Sequence, residues 1–221
     1  MKNNYNFKKQ LSLFLSCLIM VVSFGVKAQT ATLNAVLSGK VTSADVLTSG
    51  DQTNICSVCD RGYVKFDLTS IPVGASITSA TLNLVAIAPS ASAPSTLNRI
   101  TSTTLDAATA GAGFYAAISS ATNVSSGSWS FVALPTTFPM VINSAGITAL
   151  NTAVGTGQIT YGVLRASAPV YTFGGYNNAT TANRPQLVLT YALPCTGTPT
   201  AGAASSILTT CGGVNFNISS S

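Results

Sequence analysis

The chain has 221 residues, of which 47% are hydrophobic and only 7% charged; ten basic against five acidic residues give a net charge of +5. It contains no histidine and no glutamate. That excludes Ser-His and Cys-His nucleophile arrangements, and any pair of glycosidase carboxylates would have to come from five aspartates.

The first residues read as an export signal. Lys2, Lys8 and Lys9 precede the apolar run Leu11 to Val26, and Val26-Lys27-Ala28 ends it with a small residue. A basic start, an apolar middle and a small residue at the cut are the parts of a secretory signal peptide, so residues 1–28 are expected to be removed after Ala28. The apolar run is short for a membrane span, and none is expected after cleavage. Four lysines leave with the leader, so the mature chain keeps six cations against five aspartates, a net charge of +1. The basic pI belongs to the leader, and nucleic acid is not an expected partner.

The remainder, rich in Ala, Thr, Ser, Gly, Val and Leu, reads as a run of short strands. Ala31 to Thr42 is expected as an opening strand with Leu33, Ala35 and Leu37 on one face, and Ala44 to Asp60 as a loop. Arg61 to Ala86 holds two alternating runs joined by a Pro-containing turn. In the first, Val64, Phe66 and Leu68 point inward while Tyr63, Lys65 and Asp67 point outward; in the second, Ala80, Leu82, Leu84 and Ala86 share a face. Period-two alternation marks strands that bury one side.

Pro89 to Thr96 reads as a turn, the Ala-rich piece Leu105 to Ala117 as loop or a short helical turn, and Ile118 to Leu134 as holding a strand around Trp129, Phe131 and Ala133, followed by a corner at Pro135 to Pro139. Ser144 to Val154 has helical spacing at Ile147, Leu150 and Val154, a cap at Asn143 or Ser144, and Gly155 and Gly157 beyond it. Ile159 to Leu164 and Gln186 to Tyr191 are the last two strands. The pattern predicts an all-β, antiparallel β-sandwich of jelly-roll type with one short helix. A boundary falls at Leu193-Pro194; residues 193–221 are expected to be the start of a truncated second module.

Two stretches resemble the DNRLRE-type extracellular domain, a bacterial and archaeal β-sandwich. Lys65-Phe66-Asp67-Leu68, Ser70-Ile71-Pro72 and Ile77 to Leu84 stand where that family has its opening strands. Asn183 to Tyr191, NRPQLVLTY, stands where it closes. The tail, through Cys195, a Pro-Thr-Ala-Gly turn and Cys211, is similar to Ig-like repeats of Bacteroidetes surface proteins. The resemblance implies a non-catalytic module over residues 29–192 of a secreted or cell-surface protein, binding carbohydrate or serving adhesion. The alternative is a purely structural spacer domain.

Sugars stack on aromatic faces, and their carboxylates pair with cations. Tyr63, Lys65, Trp129, Tyr176 and Arg165 are therefore the candidate ligand-binding residues, with a polysaccharide or cell-surface glycan as the partner. Arg61, Tyr115, Tyr171 and Arg184 are further candidates. No cofactor is expected; Asp45, Asp51 and Asp60 could share Ca²⁺ but lack the spacing of a calcium loop. In an exported chain, Cys56 and Cys59 are expected to form one disulfide and Cys195 and Cys211 another. The second closes a loop of about 15 residues, worth about 3 kcal/mol.

Overall fold

The computed structural model describes residues 28–56, 60–88, 90–100, 113–131, 133–165, 170–193, 207–209 and 215–217. The leader, Cys59, Cys195 and Cys211 lie outside them, as does the side chain of Trp129. One compact unit spans Gln29–Tyr191. In the other, strands β12 (Ile207–Thr209) and β13 (Asn215–Asn217) form an antiparallel pair. Among the described residues no helix is long and apolar enough to cross a membrane.

The compact unit is an all-β, antiparallel sandwich. Its strands are β1 (Ala28–Thr42), β2 (Leu47–Ser49), β3 (Gln52–Ile55), β4 (Asp60–Asp67), β5 (Ser76–Ala86), β6 (Ser90–Ile100), β7 (Thr122–Phe131), β8 (Thr136–Val141), β9 (Gln158–Arg165), β10 (Tyr171–Gly174) and β11 (Gln186–Ala192). The pairings are nested: β3 with β10, β4 with β9, β5 with β8, and β6 with β7. Contacts of β10 with β5 and of β9 with β6 join alternate pairs into two sheets, β3-β10-β5-β8 and β4-β9-β6-β7. A long antiparallel ribbon wound in this way is the jelly-roll topology.

Strand β1 ties the sheets together. Its first half lies beside β11, where Ala35 N donates to the Pro185 carbonyl at 3.0 Å. Its second half pairs with β4, from Ala35↔Phe66 to Thr42↔Asp60, with a register shift between Ala35 and Leu37. A bulge bends a strand and re-aims it. Between the sheets lie Val64, Phe66, Leu68, Leu82, Leu84, Ile159, Leu187 and Leu189, all buried. The two alternating runs of Arg61 to Ala86 thus face one core from opposite sheets.

Among the described residues two short α-helices flank the strands: α1 (Phe114–Ser120) and α2 (Ser144–Val154). Helix α2 has the expected bounds, and the Asn143 side chain accepts from Gly146 N at 3.0 Å, so Asn143 is the cap. Helix α1 is an addition: it begins within the Ala-rich piece and runs through Ile118 to Ser120, into the stretch expected to hold the Trp129 strand.

Three other expectations are corrected. The stretch Ala44 to Asp60 holds β2 and β3, too short to show alternation. Residues 90–96, expected as a turn, belong to β6. Proline is tolerated where a ladder donor is not needed; among the described residues β9 pairs with β6 as far as Ser95↔Arg165, and Pro94 stands opposite Ser128 of β7. The corner at Pro135 to Pro139 is largely β8, whose Pro139 sits where β5 is the sole partner among the described strands.

Candidate functional site

The outer face of β4 was the expected binding surface. Strand β4 is flanked by β1 and β9, and the row across the sheet at Tyr63 reads Gly39, Tyr63, Gly162, Asn98. Two glycines beside one tyrosine leave a trough. Helix α1 fills it: Phe114 and Ile118 pack with Val41, Tyr63 and Ile100, bordered by Leu37, Leu47, Tyr115 and Leu164. A Cβ on Gly162 would lie 2.5 Å from Ile118 Cγ2, and one on Gly39 would run into the Thr48 carbonyl. The missing side chains let α1 and β2 close over the sheet.

Polar groups pin the helix. Asp45, at φ 57°, accepts from Tyr115 N at 2.7 Å. The Arg61 guanidinium donates through Nη1 to the Tyr115 carbonyl and to Ser119 Oγ, the latter at 2.8 Å, and stacks 3.6 Å over the Tyr115 ring. Asn98 Nδ2 donates to the Ile118 carbonyl at 2.8 Å.

Tyr63 and Lys65 therefore do not line an open groove. Tyr63 is 3% exposed and Lys65 6%. The outward half of the alternation was read correctly as a face of the strand, but that face meets a second layer instead of solvent. The Tyr63 hydroxyl donates to the Thr48 carbonyl at 3.4 Å. Burial, with the neighbouring Tyr176 phenol, pushes its pKa up to about 12. Lys65 sits between Leu37 and Thr160. Asp67, at the strand's end, accepts from Thr69 N at 2.8 Å, which holds its carboxyl below the usual carboxylate range.

Tyr176 is half-buried in an anchored loop. Its N–H donates to Ser38 Oγ at 2.8 Å, Gly175 N and Asn178 Nδ2 donate to the Asp51 carbonyl, and Arg184 Nε donates to the Asn178 carbonyl at 2.9 Å. Arg184 is thus a turn anchor. Arg165 lies on the inner face of β9, 4% exposed, with its guanidinium 3.4 Å over the Tyr171 ring; burial lowers its pKa. Trp129 is placed only by its backbone, opposite Ala93. The structure brings Tyr63 and Tyr176 together, sets Lys65 on the face of Tyr63, and puts Arg165 on the other side of the sheet.

A gap of about 10 Å³ lies inside the fold, bordered by Ser38, Thr53, Tyr63, Val64, Phe173 and Pro185. That is room for about one water, far short of a ligand pocket. The three aspartates weighed for Ca²⁺ do not converge: Asp45 caps α1, Asp60 pairs with Lys40 at 2.7 Å, and Asp51 receives loop donors on its carbonyl. Among the described residues no three acidic or sulfur groups cluster. Cys56 Sγ accepts from Asp60 N at 2.9 Å at the corner from β3 into β4.

The cluster that sequence reasoning missed is Arg61, Tyr115, Ser119 and Asp45. Arg61 and Tyr115 were each candidates, but 54 positions separate them and no local pattern links them.

No family model matches the chain, and no curated protein matches it. Among solved structures, it is similar to the infectious bursal disease virus VP2 subviral particle, at 14% identity and a TM-score of 0.20, covering 77% of this chain and 39% of that one. The Gx strain of the same virus gives 13% identity and a TM-score of 0.17, with 77% and 37% covered. The chain spans less than two fifths of the length of these capsid proteins.

Proposed function

We propose that the chain is a non-catalytic module of an exported or cell-surface protein, and that its role is structural: a spacer that holds other parts of the polypeptide apart. The observation that carries this reading is that the trough across β4 is filled by the chain's own helix α1. On the outer face of the other sheet, Thr81 and Asn83 of β5 stand beside Val141 and Pro139 of β8, Val85 is buried, and among these described residues there is no cation or aromatic ring to hold a sugar. The proposal takes its family from the DNRLRE resemblance at Arg61 to Ala86 and Asn183 to Tyr191. A glycan array carrying neutral and uronate polysaccharides at about millimolar ligand, the weak end of recognition, tests it. No binding is expected, and binding to any of them overturns the spacer reading.

Carbohydrate binding is the second reading, favoured by one observation. Arg61 is half-exposed, held rigid by the Tyr115 ring, and makes both of its hydrogen bonds through Nη1, so its Nη2 is left for a uronate carboxylate. If the array shows binding, Arg61→Gln should abolish it; binding that survives Arg61→Gln rejects this site.

Export and oxidation complete the proposal: cleavage after Ala28, and disulfides Cys56–Cys59 and Cys195–Cys211. N-terminal sequencing and peptide mass mapping of the secreted chain test both. Four free thiols after oxidative refolding would sink the pairings.

A further inference from the structure

The cleavage point and the edge of the fold coincide. The compact unit begins at Gln29, the residue that follows Ala28. Strand β1 opens there: Ala28, Gln29 and Thr30 are exposed, and by Ala35 the strand is buried. Removal of the leader after Ala28 therefore leaves no tail ahead of the sandwich. The new α-amino group sits on the strand itself, on an exposed glutamine.

An amino-terminal glutamine carries a nucleophile and an electrophile on one residue. Its α-amine can reach the Cδ of its own γ-carboxamide and close a pyrrolidone ring. An α-amino group has a pKa of about 7.7–8.0, so part of it is the free base at neutral pH. Because both groups belong to one side chain and its backbone, the amine acts at a high effective concentration.

We propose that Gln29 is a modification site, which cyclises to pyroglutamate once the leader is cut. The bond from the α-nitrogen to Cδ forms and the bond from Cδ to the carboxamide nitrogen breaks. The proton given up by the amine leaves with that nitrogen as ammonia. No oxidant and no second substrate takes part. The inference rests on the cleavage after Ala28 proposed above. The product is a neutral amide at the start of β1, without the α-ammonium charge. An exopeptidase that recognises a free α-amine has nothing to hold there. Trimming from that end would attack the strand that joins the sheets, since β1 lies beside β11 and then pairs with β4.

Mass spectrometry of the secreted chain tests this. Reductive dimethylation of the intact protein first marks every free amine. A protease that cuts before aspartate then releases residues 29–44, with Lys40 inside as the labelling control. The expected peptide is lighter than its sequence by one ammonia and unlabelled at its terminus. A peptide that begins at Gln29 with its ammonia retained and its amine labelled overturns the proposal and leaves the cleavage reading standing. A first peptide that begins at any other residue overturns the cleavage reading, and the proposal with it. Gln29→Ala should give a labelled amine at the same position. An aminopeptidase should shorten that variant and leave the wild type whole; equal behaviour of the two overturns the protective role.

Discussion

Gly162 is the position where the covering of the outer face is decided. A Cβ there would lie 2.5 Å from Ile118 Cγ2, 3.0 Å from Ile100 Cδ1 and 3.1 Å from Ile118 Cγ1. Both isoleucines are buried, at 1% and 2% exposure, so neither has free space to retreat into. Gly162→Ala can be met in two ways. The helix can lift away, exposing Phe114 and Ile118 at about 1.5–3 kcal/mol each. Alternatively, helix and sheet can move apart by fractions of an ångström, an overpacking cost of about 1–3 kcal/mol. The second is cheaper, and the alanine returns about 0.5–1 kcal/mol of backbone entropy in a strand. The net expectation is a loss of about 1–2 kcal/mol with α1 still docked.

Urea unfolding followed by circular dichroism reads this directly, with an unchanged slope if the helix stays in place. Ile118→Ala alone should cost about 2–5 kcal/mol. In that background the methyl group of Gly162→Ala enters the space vacated, and its penalty should vanish, a coupling of about 1–3 kcal/mol between the two sites. A Gly162→Ala penalty of the same size in both backgrounds would refute the contact, and so would simple stabilisation of the wild type.

Removing the cap of α2 with Asn143→Ala should cost about 1–2 kcal/mol by thermal unfolding, because it loses both the Gly146 N bond and the tie to the Asn123 carbonyl. Tyr63 should titrate late: its pKa is raised from 10.0 to about 12, so the folded state holds its proton after the unfolded chain has released it. Stability is fully present below pH 10, falls from there to about 12, and this component disappears in Tyr63→Phe; absorbance of tyrosinate follows it. Asp67 works in the opposite sense. Its lowered pKa gives stability above the ordinary carboxylate value that is lost as pH falls through the lowered one. Asp67 is too exposed for this to exceed about 1 kcal/mol, and Asp67→Asn, which keeps the accepting oxygen, should remove the acid dependence while preserving the turn.

The jelly roll was legible where alternation ran long enough. Val64, Phe66 and Leu68, and then Ala80, Leu82 and Leu84, repeat over enough residues to fix both a strand and its buried side. Helix α2 was legible to the residue because cap, periodicity and terminal glycines agree. What failed were the short or proline-bearing strands. Three residues of β2 carry no period, and Pro94 and Pro139 read as breaks because a sequence does not say where a strand can hold a proline; Pro139 sits where β5 is the sole partner among the described strands.

The site was misread for a related reason. Alternation assigns side chains to two faces, but whether the second face meets water depends on what else lies on it. Tyr63 and Lys65 occupy the predicted face, and Gly39 and Gly162, brought beside Tyr63 by strands distant in sequence, turn that face into a bed for α1. A glycine in a strand marks close approach of another element, so Gly162 within ITYGVLR was a local sign of the helix. Only pairing with β4 shows that it lies beside Tyr63. The same layer bears on the proposed function. A tyrosine and a cation on an open sheet are a sugar platform, whereas Tyr63 under Phe114 and Ile118 is part of a core. In the carbohydrate-binding reading proposed above, Arg61, at the layer's rim, is the cation that would meet a ligand.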